Sequence, residues 1–253
     1  MLRGLAALDL LDPDPEVEGR RNILVAPDWA PGDLTDRLWH ALVAALPDLP
    51  ELPAKMGVAV DTGDAPILSD ASADFRLERS ATGLILRADG AELGRPVTES
   101  TAIPALIEMA EWFVDTGGAE AGRMRRHLAT TTLPGDWTTS APLPARAPFV
   151  PGPTGLGPVY GAAFGQVRAD ALEALIRASG ATAIRVTPWR LFVLEGALSI
   201  PAPGFVTDAR DPILTTHACP GAPLCPQAQI ETQALARHLA GRVNGTLHVS
   251  GCE

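Results

Sequence analysis

The stretch from Thr138 to Thr154, TTSAPLPARAPFVPGPT, limits the fold of this chain more than any other. Pro142, Pro144, Pro148, Pro151 and Pro153 each fix φ and remove a backbone donor, so no helix and no central strand can cross it. It reads as a semi-rigid linker, 138–154, and as the clearest domain boundary in the chain. With 253 residues in all, both the part before it and the part after it are long enough to bury a core.

Before the linker, the opening segment reads as the tail of a helix or loop that ends at Asp12-Pro13-Asp14-Pro15 and resumes something already under way. Asn22 to Pro27 is a short buried strand closed by its proline. Asp33 caps a helix whose Leu34, Leu38, Leu42 and Leu46 share one face, with Pro47 as the stop. Trp39 and His40 on it read as packing and surface residues. In LPAKMGVAVDTG, Met56, Val58 and Val60 alternate against Lys55, Gly57 and Asp61, as in a strand that ends in a turn. Two alternating runs from Phe75 and from Gly83 form a hairpin. Ser100 or Thr101 caps a second helix, with Ile103, Leu106, Ile107, Ala110 and Phe113 as its stripe up to Gly117-Gly118. Arg123-Met124-Arg125-Arg126-His127 reads as a solvated helix end, with an anion-binding spot as the alternative.

After the linker, Val159 to Gln166 reads as a strand and Arg168 to Ser179 as a helix with Leu172, Leu175 and Ile176 inward. Ala183 to Thr187 and Leu191 to Leu194 follow as strands flanking Pro188-Trp189-Arg190. This β-α-β-β order is half of a ferredoxin-like arrangement, and the chain as a whole reads as α+β.

Composition excludes several roles. With 46% apolar residues and mixed charges the chain is globular rather than disordered. A net charge of −10, from 20 Lys+Arg against 30 Asp+Glu, with no basic patch, excludes wrapping of a nucleic acid backbone. The N-terminus carries one Arg and a short apolar run before acidic residues, too short for a signal peptide. No run approaches the roughly 18 apolar residues of a membrane span. These features place the chain in the cytoplasm, away from membranes.

All three cysteines, Cys219, Cys225 and Cys252, lie in the last stretch. Cys219-Pro-Gly-Ala-Pro-Leu-Cys225 is a tight loop that lets two thiols turn the same way, and a helix expected over Gln227 to His238 would aim its first amides at the second sulfur. Cys252 follows a short strand, Thr246 to Ser250. The set reads as three ligands of an iron–sulfur cluster. For the close pair alone, two buried small hydrophobes or a redox disulfide stay open. Zinc is the other metal reading, disfavoured by the five-residue gap. His217 and His248 are candidate ligands or supporting partners.

In this order, the residues resemble the nitrite and sulfite reductase superfamily, whose members bind a [4Fe–4S] cluster through C-x5-C followed by C-x3-C. THACPGAPLC matches the first pair at Cys219 and Cys225, and HVSGCE matches the start of the second at Cys252. Arg20-Arg21-Asn22-Ile23 resembles the family's Arg-Asn segment, and Leu52-Pro-Ala-Lys55 its Leu-Pro-x-Lys-Phe-Lys run, with Gly57 where a second lysine belongs. The segment from Gly161 to Gly196, with Thr187-Pro188-Trp189, is similar to the family's second ferredoxin-like half. Within the superfamily, LLDPDPEVEGRRNILV, LPAKMGVAVD, AEWF and TPWR together resemble the precorrin-3B synthases of aerobic cobalamin synthesis.

The resemblance implies a nitrite/sulfite reductase-like middle domain over 1–137, the linker, a ferredoxin-like half-domain over 155–202 and an incomplete iron–sulfur domain over 203–253. It implies a monooxygenase that converts the tetrapyrrole precorrin-3A to precorrin-3B with lactone formation, using the [4Fe–4S] cluster, a non-haem iron and reducing equivalents from a nicotinamide. Arg21 and Lys55, and less centrally Arg190, are the cations it assigns to the carboxylates of the substrate. A sirohaem-dependent sulfite or nitrite reductase is the alternative, weakened by Gly57, and an inactive truncated cluster-binding fragment is another. The fourth thiolate is expected at the fourth position after Cys252, beyond the sequence, and the first ferredoxin-like half before Arg20. An unpartnered sheet edge in the second half-domain is expected to be exposed.

Overall fold

The structure, a computed structural model, describes residues 2–8 and 10–252. Met1 and Asp9 of the opening segment, and Glu253 at the end of the cysteine stretch, lie outside the described residues. The fold is α+β and divides into two compact units, Met1–Ala147 and Pro148–Glu253.

The first unit is built on a five-stranded sheet in the order β1 (Ile23–Val25), β2 (Val58–Asp61), β3 (Phe75–Ser80), β4 (Gly83–Ala88), β5 (Arg95–Val97). The first three strands run parallel, and β3, β4 and β5 are antiparallel. The opening segment forms two short helices, α1 (Leu2–Ala7) and α2 (Pro15–Arg20). Helix α3 (Leu34–Ala44) starts where the Asp33 carboxylate accepts the Asp36 amide at 2.8 Å. The next long helix, α4 (Glu99–Asp115), is capped by Thr98 rather than by Ser100 or Thr101. Thr98 and Thr101 exchange hydrogen bonds between side chain and amide in both directions, and such a box outcompetes a cap placed further in. Two short helices follow, α5 (Gly118–Ala121) and α6 (Met124–His127).

Helices α3 and α4 pack on each other and on β2 and β4, and Leu38, Leu42, Phe75, Leu86, Leu106 and Phe113 fill the core between. Fully burying each such side chain contributes about 1.5–3 kcal/mol. The alternation in β2 holds in direction, since Val58 and Val60 face this core. It fails in exposure, because all four residues of β2 are buried. Connection 62–74 folds over the other face of the sheet. Asp61 there accepts the amides of Ile67 and Leu68, both at 2.7 Å, and Arg76 donates to the carbonyls of Leu68 and Ala71. That second face is charged, and Arg87 pairs with Glu78 at 2.7 Å and Arg76 with Asp89 at 3.0 Å. The hairpin β3–β4 turns on Ala81-Thr82, with Ser80 opposite Gly83.

The boundary between the two units, at 147/148, falls within the proline-rich stretch, whose first part is bound to the first unit. Ser140 and Pro142 bridge to Gly94 and Ser80, and the Leu143 and Arg146 amides donate to Arg79 and Pro66. Past the unit boundary, Gly152–Pro153 forms the edge strand β6 of the second unit. Proline carbonyls can still accept at a sheet edge, so the residues that forbid a central strand permit an edge one.

In the second unit β6 is followed by β7 (Pro158–Gly161), α7 (Ala169–Ser179), β8 (Ala183–Val186) and β9 (Leu191–Glu195), in an antiparallel sheet of order β6-β7-β9-β8. The strand expected to reach Gln166 stops at Gly161. There Gly161 exchanges two backbone hydrogen bonds with Val206, Ala162 donates to Arg190, and Phe164 takes φ 58° in a single 3-10 turn. Helix α7 ends at Gly180, φ 71°, and sets Leu175 against Tyr160, Phe192 and Leu194. Strand β8 is the edge of this sheet and leaves Ile184 and Val186 exposed. A parallel pair, β10 (Thr216–Ala218) and β11 (Leu247–Val249), and the helix α8 (Thr232–Leu239) complete the unit.

Candidate functional site

Two short strands bring the first and third cysteines together. In the parallel ladder Thr216, His217 and Ala218 face Leu247, His248 and Val249, and the Cys219 amide extends it by donating to the Val249 carbonyl at 3.1 Å. Two residues beyond β11, the Gly251 amide donates to the Cys219 sulfur at 3.3 Å, so Cys252 follows directly on a residue that touches the first thiol. The second cysteine is tied to the same place through its loop. The Cys225 amide donates to Gly221, the Ala228 amide to Cys225, and the Gln229 amide to Gly251 at 2.9 Å.

At the centre of these segments sits Thr232, fully buried. Its hydroxyl donates to the Cys219 carbonyl at 2.6 Å and lies 3.8 Å from the Cys219 sulfur. Gly221 and Gly251 are glycines because of it. A Cβ on Gly221, already at φ 66°, would fall 2.4 Å from the Thr232 hydroxyl, and one on Gly251 would fall 2.9 Å from the Thr232 methyl.

The helix expected over Gln227 to His238 begins only at Thr232. The amides of Ala228 and Gln229 are spent on the Cys225 and Gly251 carbonyls, so this stretch is a turn, and the helix start does not adjoin Cys225. The amide that stabilises a thiolate is that of Gly251. Its hydrogen bond, aided by the Gly221 amide and the Thr232 hydroxyl and opposed by burial, holds the Cys219 thiol below its usual range.

His217 and His248 stack with ring centroids 6.3 Å apart and planes 9° off parallel. Burial first, then the charges of Arg190 and His248, keep His217 below the usual histidine range. Arg190, at φ 60°, does not present a free fork to a substrate. Its Nη1 and Nη2 donate to the Thr216 carbonyl at 2.7 Å and the Leu214 carbonyl at 2.5 Å, and so anchor the start of β10.

Among the described residues no group of three or more His, Cys, Asp or Glu side chains converges on a single metal ion. Three thiols on segments joined by hydrogen bonds, one of them with a lowered pKa, are the residues that could ligate an iron–sulfur cluster. Cys219, Cys225 and Cys252 would hold it.

In the first unit, Arg21 and Lys55 precede two adjacent parallel strands. The Asn22 carbonyl accepts the Val58 amide at 2.9 Å and its side-chain amide donates to the Met56 carbonyl at 2.9 Å, which fixes the two segments side by side. Arg21 is folded back, donating to Glu18 and to the Leu10 carbonyl at 2.9 Å. The Lys55 ammonium is exposed and makes no hydrogen bond or ion pair among the described residues. Gly57 lies against Asn22, and a Cβ there would stand 2.7 Å from its side-chain nitrogen.

Sequence reasoning missed the residues that hold these segments. Buried Asp74 accepts the Gly57 amide at 3.2 Å, Arg123 Nε at 3.1 Å and the Met124 amide at 2.8 Å, while Arg123 also donates to the Lys55 carbonyl at 3.0 Å. Neither Asp74 nor Thr232 carries a spacing signal.

No protein-family model matches the chain, and no curated protein matches its sequence. Among solved structures, that of the Mycobacterium tuberculosis NirA protein matches with a TM-score of 0.59 at 17% identity, over 91% of this chain and 54% of that one. The chain thus spans about half the length of this solved relative. The α+β fold described above is therefore similar to that of NirA.

Proposed function

We propose that the chain is a cluster-bearing oxidoreductase of the nitrite and sulfite reductase kind, and that its reaction is the oxygen-dependent conversion of precorrin-3A to precorrin-3B. The observation that carries this reading is the thiol site, where hydrogen bonds join the segments that carry Cys219, Cys225 and Cys252. The sequence phrases that resemble this kind and the NirA-like fold support it.

A cluster held by the three thiols would supply single electrons. The residues of the chain do the rest of what is proposed. The Gly251 amide, donating to the sulfur, lowers the pKa of Cys219, and the Thr232 hydroxyl, donating to its carbonyl, keeps the residue in place. The Lys55 ammonium binds a substrate carboxylate, and Arg21, held by Glu18, takes a second one after release from that pair. Gly57 leaves one lysine where sulfite reduction would use two, which favours the oxygen-dependent reading over the sirohaem-dependent one.

A nicotinamide is the proposed source of reducing equivalents. Free thiols suit a cytoplasmic location, and no helix among the described residues is long and apolar enough to cross a membrane.

The test is anaerobic reconstitution, then incubation with precorrin-3A, a nicotinamide-driven donor and oxygen, with product mass as the readout. A product one oxygen atom heavier, formed more slowly by Lys55→Ala, is expected. Sulfide released from sulfite, with no change in precorrin-3A, would replace this reading by the reductase.

A further inference from the structure

A cleft of about 550 Å3 opens in the first unit, lined by loop 69–73 and by Arg76, Asp89, Arg123, Arg125 and Arg126. In a chain of net charge −10, this lining sets four guanidinium groups against two carboxylates, Asp70 and Asp89. The cations are held in graded ways. Arg76 is buried, and its donors go to Asp89 and to the carbonyls of Leu68 and Ala71, which fixes the loop. Arg123 spans Asp74, the Ser72 hydroxyl at 2.9 Å and the Lys55 carbonyl. Arg125 shares Asp89 with Arg76, and its side chain is 73% exposed. Arg126 is exposed and makes no side-chain hydrogen bond or ion pair among the described residues.

The loop itself adds donors. Among the described residues, the amides of Ser72 and Ala73 donate to no acceptor of the chain, and Ala73 is only 1% exposed. A buried amide without an acceptor calls for one. Four guanidinium groups around one cleft offer forked donors and positive charge together, which is what a multiply charged anion requires. Arg76 and Arg123, already fixed by the fold, add positive charge to the cleft, while the exposed Arg125 and Arg126 have donors left to give.

We propose that this cleft binds a small ligand carrying two or more anionic groups, gripped by Arg125 and Arg126 beside loop 69–73. Carboxylates and phosphates share that chemistry. The inference rests on the first unit alone and does not depend on whether the thiol site holds a cluster.

The test is titration calorimetry on the full chain at two salt concentrations, with citrate in one arm and pyrophosphate in the other. Wild type is compared with the double variant R125Q/R126Q and with Arg210→Gln, an exposed arginine of the second unit. One of the two anions is expected to bind saturably with 1:1 stoichiometry, at least about tenfold weaker in the double variant and unchanged in Arg210→Gln. Tighter binding of citrate identifies a polycarboxylate ligand, and tighter binding of pyrophosphate a phosphorylated one. Arg126→Lys keeps the charge but loses the fork, and is expected to fall between. The proposal is overturned if neither anion binds, or if the double variant, folded by circular dichroism, binds as wild type does.

Discussion

The charged face of the first sheet and the thiol region of the second unit solve the same problem in opposite ways. On the sheet, the segments are fixed by ion pairs to buried carboxylates backed by a large apolar core, with Asp74 gripping Arg123 and Glu78 gripping Arg87. Around the cysteines there are two strands of three residues each, glycines packed against one threonine, and backbone hydrogen bonds. Buried ion pairs fix geometry before any ligand arrives. Short strands on a small core are weakly held and gain most from what they bind, so the thiol region is expected to be the part of the chain that a cluster stabilises.

The largest effect expected on the sheet side comes from Asp74→Ala. It leaves Arg123 without its carboxylate and strips the acceptor from two amides, at a cost of about 3 kcal/mol in urea unfolding of the first unit. It also frees the Lys55 segment, which hydrogen exchange at 55–58 would show.

On the thiol side, Thr232→Val keeps the shape and removes the hydroxyl from the Cys219 carbonyl, costing about 1–2 kcal/mol locally. Its sharper sign is chemical. The pH at which Cys219 becomes alkylated should rise, since one of the groups that lowers its pKa is gone. If Asp74→Ala and Thr232→Val each spread equally through both units, the contrast between the two is wrong.

The smallest effect concerns Asp61, buried beside Glu78 in the ladder with one carboxylate oxygen unpartnered. Burial, against the amides of Leu68 and Ile67 and with the help of Glu78, raises its pKa above the ordinary carboxylate value. The folded state therefore binds a proton that the unfolded state has released, and stability falls as pH rises from the unfolded pKa to the folded one. Asp61→Asn should remove this slope and stabilise the first unit at neutral pH, as read by melting temperature against pH.

Much of this was legible in the sequence wherever a local rule decides. The Asp33 cap, the leucine stripe of α3, the β3–β4 hairpin and the β-α-β-β order all depend on residues a few places apart. The alternation of β2 was legible in direction only, because what covers its second face is the connection 62–74, and no pattern in β2 announces a lid. The three cysteines stood out by type, yet what joins them did not. The Gly251 amide reaches a sulfur 32 positions away, and Arg123 reaches Asp74 across 49. Backbone donors and long-range ion pairs leave no mark on spacing, and so the start of α8 was misplaced as well.

The central claim, that the second unit holds an iron–sulfur cluster on Cys219, Cys225 and Cys252, is tested most directly by anaerobic reconstitution of the chain with iron and sulfide. Iron, sulfide and visible absorption are then measured in wild type and in Cys219→Ala. A broad visible band with bound iron and sulfide in wild type, lost in the variant, is the expected result. Absence of the band in wild type, or a band that survives the loss of Cys219, would contradict it.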